Sequence, residues 1–277
     1  MKITSNTKLY CIFGKPVSHS LSPVLHNTGF ETIGMDAVYC AFEPTNIDSA
    51  INAMRTLGIS GASITIPYKI DVMKHINEID SLAKDIGSVN TLVNKNGSII
   101  GYNTDGLGAC KAMEDAGMKI NGSKALIIGN GGSARAIAFS LLSKGCAITI
   151  SGRNEKHIAN LANDLKKKYS DVDYILLDRL DSTNTEMFTV IINTTPVGME
   201  PNVHETPIER ELLHEGQFVF DIVYKPDETR LLQEAAKKGC KIIKGFEMLL
   251  AQGALQFKLW TGHDAPVDEM RKAVVRQ

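Results

Sequence analysis

One short stretch limits this 277-residue chain more than any other: Lys124-Ala125-Leu126-Ile127-Ile128 running into Gly129-Asn130-Gly131-Gly132-Ser133-Ala134. An apolar run of strand length enters a glycine-rich turn, and residues 134–142 leave it with helical periodicity. The first glycine of such a turn permits the bend, and the second lets a pyrophosphate approach the backbone. A small third residue, here Ala134, lets the helix pack on the strand. The helix N-terminus then offers unpaired N–H groups and a positive dipole end to phosphates. This predicts a dinucleotide site along Gly129, Asn130, Gly131, Gly132 and Ser133. Alone, such a turn is common; a second strand ending near Ser151, about 20 residues on, supplies the context that dinucleotide binding requires.

The end of that second strand bears on the choice of nicotinamide. An NAD site usually places Asp or Glu there for the ribose hydroxyls, whereas an NADP site places a cation for the 2′-phosphate. The residues are Ser151-Gly152-Arg153-Asn154-Glu155-Lys156-His157. No carboxylate stands at the strand end, and the Arg153 guanidinium suits a phosphate. NADP (NADPH) is the expected cofactor, with Gly152, Arg153, Asn154, Lys156 and His157 beside it. Glu155, folded back toward the ribose, is the one feature that favours NAD.

Strand-like and helix-like segments alternate along the rest of the chain. Strands are expected at 9–13, 37–42 and 62–66, with helices at 23–34 and 47–57; Ser22 is the expected N-cap, with Pro23 in the first helical position. Segments 88–94 and 98–103 flank Lys95-Asn96-Gly97, a hairpin signal. This first region reads as a mainly parallel sheet with the hairpin as an antiparallel edge. A second α/β pattern begins after Asp105, with a helix at 107–116 and strands at 124–128, 147–151, 174–177, 190–193 and 218–223. From Gly245 the chain reads as helical to its end, apart from a break near 262–266. The expected fold is therefore two α/β domains. Residues 1–105 plus 245–277 form a three-layer substrate domain, residues 106–244 form a Rossmann-like nucleotide domain, and a cleft lies between them.

Composition excludes several classes of function. The formal charge is −1, so no global field recruits nucleic acid or a membrane surface. No stretch approaches the length of a membrane helix. The five cysteines have neither metal-ligand nor redox spacing, so buried free thiols in the cytoplasm are expected, with no metal.

Four polar clusters stand at strand-loop junctions of the first region: Ser18-His19-Ser20-Leu21-Ser22-Pro23, Ser63-Ile64-Thr65-Ile66-Pro67-Tyr68-Lys69, Asn90-Thr91 and Asn103-Thr104-Asp105-Gly106. Taken singly, each is as well explained by structure: serines before a helix serve as caps, and a lone lysine is usually a solvated charge. Together, with Gly14-x-Pro16-Val17, Gly129-x-Gly131-Gly132, Asn193-Thr194-Thr195-Pro196, Asp221-x-x-Tyr224-x-Pro226, Gly245-x-x-Met248-Leu249-x-x-Gln252 and Trp260-Thr261-Gly262, they stand in the order and spacing of the shikimate dehydrogenase family. The chain resembles that family over essentially its whole length.

That resemblance implies roles. Lys69 and Asp105 would flank the hydroxyl that is oxidised and act as the acid/base pair. Ser18, Ser20 and Tyr224 would hold the substrate carboxylate, and Thr65, Asn90 and Gln252 the ring hydroxyls. Ile222 and Gly245 would lie close to the nicotinamide. The implied reaction is 3-dehydroshikimate plus NADPH to shikimate plus NADP, by a monomer or homodimer. Oxidising a secondary alcohol requires loss of the hydroxyl proton, and the reverse requires a donor to the nascent alkoxide. Which of the two residues exchanges that proton is open from sequence, because desolvation and an adjacent carboxylate move a lysine in opposite directions.

Two positions depart from the family pattern. Ser63 replaces an asparagine that most bacterial members carry, and Gly152 stands where Asn or Ser is common. Two rival readings follow: a quinate/shikimate dehydrogenase using NAD or NADP, and a non-catalytic paralogue that binds the ligand as a sensor. Retention of both Lys69 and Asp105 argues against the second.

Overall fold

The computed structural model describes residues 3–275, so the last two residues of the expected helical run, 276–277, lie outside the described residues. It divides into two compact units. The first holds the described residues up to Thr104 and those from Gln252 onward; the second is Asp105–Ala251. The divisions fall one residue earlier than the sequence suggested (104 against 105) and seven later (251 against 244). Gly245 opens a helix that runs unbroken to Thr261, so the later division lies inside a helix.

The first unit contains β1 (Lys8–Phe13), α1 (Ser22–Thr32), β2 (Ala37–Phe42), α2 (Ile47–Thr56), β3 (Gly61–Ile64), β4 (Glu78–Ile79), α3 (Ser81–Ile86), β5 (Thr91–Lys95) and β6 (Ser98–Tyr102). Its sheet has the order β2-β1-β3-β5-β6-β4. β1, β2 and β3 run parallel, and β5 pairs antiparallel with β3 and with β6. The hairpin turns through Asn96 and Gly97, whose φ values of 56° and 92° give the primed turn that matches strand twist. It does not form the edge, however. The two-residue β4 pairs parallel with β6 and covers it, and a strand that short leaves no periodicity to read.

Alternation along β1 makes this unit three layers. Tyr10 faces Phe30 of α1 and Trp260 at 5.0 and 5.4 Å, while Cys11 and Phe13 face Ile51 and Met54 of α2 on the opposite side. The start of α1 differs from expectation. Ser22 lies inside the helix, buried, and Leu21 is the cap residue, with no side-chain bond of its own.

The second unit contains α4 (Asp105–Asp115), β7 (Lys124–Ile128), α5 (Gly132–Ser143), β8 (Ala147–Gly152), α6 (Glu155–Lys166), β9 (Val172–Leu176), α7 (Ser182–Thr185), β10 (Val190–Asn193), β11 (Phe218–Asp221), α8 (Arg230–Lys237) and β12 (Lys241–Ile243). Its sheet is parallel throughout, in the order β12-β11-β10-β7-β8-β9. Counted from β7, this is the 6-5-4-1-2-3 order of a doubly wound dinucleotide-binding sheet. Leu126 and Ile128 of β7 pack with Ile191, Val219 and the α8 residues Leu231, Leu232 and Ala235. The chain closes with α9 (Gly245–Thr261) and α10 (Val267–Val275).

Candidate active site

In the first unit the site residues gather where strands end. Beyond β3, the Thr65 N–H donates to the Phe13 carbonyl at 3.0 Å, and the Thr65 carbonyl accepts from the Tyr68 N–H at 2.9 Å. The Lys69 carbonyl accepts from the Val89 N–H at 2.8 Å, which fixes the Lys69 backbone beside the residue that precedes Asn90. Thr65 and Lys69 are both half-buried.

Asn90 is the centre of this arrangement. It is 2 % exposed, and both ends of its side-chain amide make hydrogen bonds. Its oxygen accepts from the Thr104 N–H at 2.9 Å and the Thr91 hydroxyl at 2.7 Å; its amide donates to Thr104 Oγ1 at 2.9 Å and Gln252 Oε1 at 3.3 Å. Three expected positions are thereby related. Asn90 bonds Gln252, follows the residue that pins Lys69, and bonds the residue that precedes Asp105. Asp105, first residue of α4, is 4 % exposed.

The two serines before α1 differ. Ser20 Oγ accepts from the Ser22 N–H at 3.2 Å and so steadies the start of the helix, whereas Ser18 is exposed. Ser63, the departure noted above, is 5 % exposed and bonds inward; Tyr39 donates to its hydroxyl at 2.6 Å, and it donates to Gln256 Oε1 at 2.9 Å.

In the second unit the glycine-rich turn has the geometry its sequence requires. Gly129 has φ +121°, and a Cβ there would fall 2.3 Å from Thr194 Oγ1. Gly131 is the N-cap residue of α5; no side chain caps this helix end, and a Cβ on Gly131 would meet nothing within 4 Å. An uncapped helix N-terminus approached over open backbone fits a pyrophosphate, so the residues present suit a dinucleotide. At the end of β8, a Cβ on Gly152 would fall 2.8 Å from Ile158 Cγ2, which accounts for glycine in place of a larger residue. Asn154 accepts from the His157 N–H at 3.1 Å as N-cap of α6, which occupies its side-chain oxygen. Arg153, Lys156 and His157 are exposed, and Arg153 borders a hollow of about 380 Å³ with Asp178, Ile208 and Glu209.

The segment after β11 carries the remaining positions. The Ile222 N–H donates to the Asn193 carbonyl at 3.1 Å, and Tyr224 is half-buried. A Cβ on Gly245 would lie 2.6 Å from the carbonyls of Ile222 and Val223, so only glycine lets α9 begin there. Fully buried Asp221 accepts from Asn193, the Val223 N–H and Thr229 at 3.0, 3.0 and 2.6 Å. Burial still pushes its carboxyl up to about 6.

Thr104, Asn193 and Asp221 stood in the sequence motifs without a role of their own, and Gln256 was not singled out at all. Gln252 and Gln256 are four apart and share one face of α9, the one signal that pointed to the second glutamine. Among the described residues, no three His, Cys, Asp or Glu side chains gather where they could hold a metal ion, and no helix is long and apolar enough to cross a membrane.

Comparison with known proteins finds relatives across nearly the whole chain. Residues 12–92 match the shikimate dehydrogenase substrate binding domain, residues 111–230 match shikimate / quinate 5-dehydrogenase, and residues 245–275 match the shikimate 5′-dehydrogenase C-terminal domain. The chain is 39 % identical to the NADP(+) shikimate dehydrogenase of Moorella thermoacetica, covering 99 % of this chain and 95 % of that one. It is 44 % identical to the corresponding protein of Methanosarcina mazei, covering 97 % and 98 %. Among solved structures it is similar to a shikimate dehydrogenase in complex with NADP+, with TM-score 0.94, 39 % identity and coverage of 99 % and 97 %.

Proposed function

The chain belongs to the shikimate dehydrogenase family, and on that premise we propose which of its residues carry out the reaction. It is an NADP-dependent oxidoreductase acting on a CH–OH group, which interconverts 3-dehydroshikimate and shikimate in aromatic biosynthesis. The first unit takes the substrate and the second the dinucleotide. One observation carries the assignment within the first unit: Asn90 bonds Thr104 and Gln252 directly, and its neighbour Val89 holds the Lys69 backbone.

Lys69 and Asp105 are the acid/base pair that takes the hydroxyl proton during oxidation and returns it during reduction. Thr65, Asn90 and Gln252 orient the ring hydroxyls. Ser18, Ser20 and Tyr224 are assigned to the carboxylate, for which neutral donors are well suited because they add no competing counter-ion. Gly129–Ser133 hold the pyrophosphate against the start of α5, Ile222 and Gly245 border the nicotinamide, and Arg153, with Lys156 and His157, reads the 2′-phosphate. When bound, the nicotinamide supplies the hydride chemistry, and the protein supplies position and electrostatics.

The proposed working form is a monomer or a homodimer. Five free cysteines and a reduced-nicotinamide cosubstrate support a cytoplasmic setting. The test is the initial rate of shikimate oxidation with NADP+ for the parental protein, Lys69→Ala and Asp105→Asn. Loss of turnover in both variants, with both folded, supports the pair; parental turnover in either removes that residue from it.

A further inference from the structure

Behind Asn90 lies a buried chain of hydrogen bonds whose direction the backbone fixes. Gln256, 2 % exposed on α9, donates from Nε2 to the Asn90 carbonyl at 3.2 Å. A carbonyl can only accept, so the amide nitrogen of Gln256 must face it and Oε1 must face the other way. Oε1 meets Ser63 Oγ at 2.9 Å, which makes Ser63 the donor and leaves its oxygen to accept from Tyr39. The Gln256 amide also donates to Thr91 Oγ1 at 2.9 Å, and the Thr91 hydroxyl proton is thereby directed onto Asn90 Oδ1 at 2.7 Å. At the far end the Thr104 N–H, which can only donate, also points at Asn90 Oδ1. Two backbone groups thus fix the polarity of the whole series Tyr39–Ser63–Gln256–Thr91–Asn90.

The consequence reaches the residues assigned to the substrate. With its oxygen occupied from behind, Asn90 presents its amide toward Gln252 Oε1, which turns the Gln252 amide nitrogen away from Asn90. We propose that Ser63 and Gln256 are positioning residues for ring-hydroxyl recognition, setting which end of the Asn90 and Gln252 amides meets the substrate without touching it themselves. Ser63 suits this role because its hydroxyl both accepts from Tyr39 and donates to Gln256. The nearest titratable groups do not disturb the series near neutral pH, since burial holds the Tyr39 phenol well above its usual range and pushes His26, beside Gln256, down to about 3.

The inference rests on the proposed substrate roles of Asn90 and Gln252, and the experiment separates the two. Steady-state kinetics with shikimate and NADP+ are compared for the parental protein, Ser63→Ala, Ser63→Thr, Gln256→Met and the Ser63→Ala/Gln256→Met double variant, with thermal unfolding of each. Ser63→Ala and Gln256→Met should each raise KM for shikimate by about 2- to 12-fold, the span of one neutral hydrogen bond. KM for NADP+ should stay within about twofold. The double variant should be no worse than the weaker single one, because both break one series, and Ser63→Thr, which keeps the hydroxyl, should stay near the parental KM. An unchanged shikimate KM in both single variants overturns the inference, as does a KM rise for both substrates that follows loss of melting temperature. Should Gln256→Met not fold, Ser63→Ala set against Ser63→Thr decides alone. Absence of shikimate turnover in the parental protein would instead count against the functional reading.

Discussion

Asn193, at the end of β10, donates its amide to the Asp221 carboxylate at the end of β11 over 3.0 Å. The same carboxylate takes the Val223 N–H and the Thr229 hydroxyl. Two neighbouring strand ends, and the segment that carries Ile222 and Tyr224, are thus tied to one buried acid. Asp221→Asn keeps the size but turns an N–H₂ group toward one of three donors. It should cost about 1–3 kcal/mol, the loss expected for a buried donor left unmade. Urea unfolding at pH 7.5 measures it, and an unchanged midpoint would show that the acceptor is dispensable.

The pH dependence of stability should contain two opposing contributions. The Asp221 carboxyl is raised from 3.8 to about 6, so the folded chain holds more protons there than the unfolded chain. Its contribution is full below pH 3.8 and is lost as pH rises through about 6. His26, fully buried against Tyr39, is lowered from 6.5 to about 3, so its contribution is present above pH 6.5 and is lost as pH falls toward 3. Each pKa unit corresponds to about 1.4 kcal/mol. His26→Phe should therefore flatten the acid-side fall in stability between pH 6.5 and 4.5, whereas Asp221→Asn should steepen it. Denaturant midpoints at four or five pH values test both signs, and parallel curves for all three proteins would contradict them.

Lys69→Ala should lower kcat by roughly 10²–10⁴-fold, the range for a positioned acid/base group, with a much smaller change in the shikimate KM. The Lys69 backbone is held by a carbonyl that accepts from Val89, so the truncation leaves its segment in place. Circular dichroism and the pH–rate profile accompany the rates. A folded variant with parental kcat across the profile would remove Lys69 from the chemistry.

The two serines should separate. Ser20 accepts from the Ser22 N–H, so Ser20→Ala should cost about 1 kcal/mol of stability, as loss of a helix cap does, as well as weakening the carboxylate contact. Ser18 is exposed, and Ser18→Ala should raise only the shikimate KM, by about 10-fold or more if a bond to a charged group worth about 1.5–3 kcal/mol is lost. Melting temperature set beside KM distinguishes the two. Equal melting losses would contradict the division of roles.

Much of the fold was legible because local chemistry decided it. The turn at Gly129–Ala134 needed a positive φ and an approachable backbone, and Asn96-Gly97 could make only the hairpin it makes. All five strands read in the second unit, and all three read before the hairpin in the first, coincide with observed strands to within two residues at either end. What escaped were features that depend on partners distant in sequence. β4 exists only through its pairing with β6, and the N-cap assigned to Ser22 was displaced when that residue became buried. Asn90 stood out as polar at a strand end, yet its significance lies in bonds to Thr104, Gln252 and Gln256, 14, 162 and 166 residues away, which no local pattern reports. Asn154 shows the converse. Read as a cofactor contact, it also has the ordinary task of capping α6.

The cofactor assignment turns on Arg153, exposed at the end of β8 with no Asp or Glu before it in the turn. Arg153→Ala should weaken NADP+ by about 10- to 150-fold, taking about 1.5–3 kcal/mol for lost charge-assisted bonds, and leave NAD+ nearly unaffected. Equal losses for both cofactors would show that the side chain supports the loop instead of reading the phosphate.

The most direct measurement is the rise in absorbance at the reduced-nicotinamide band with the parental protein, run with shikimate or quinate against NADP+ or NAD+. The expected result is a kcat/KM highest for shikimate with NADP+, with NAD+ and quinate each well below it. Turnover that favours quinate with NAD+, or no turnover with any of the four pairs, would contradict an NADP-dependent shikimate dehydrogenase.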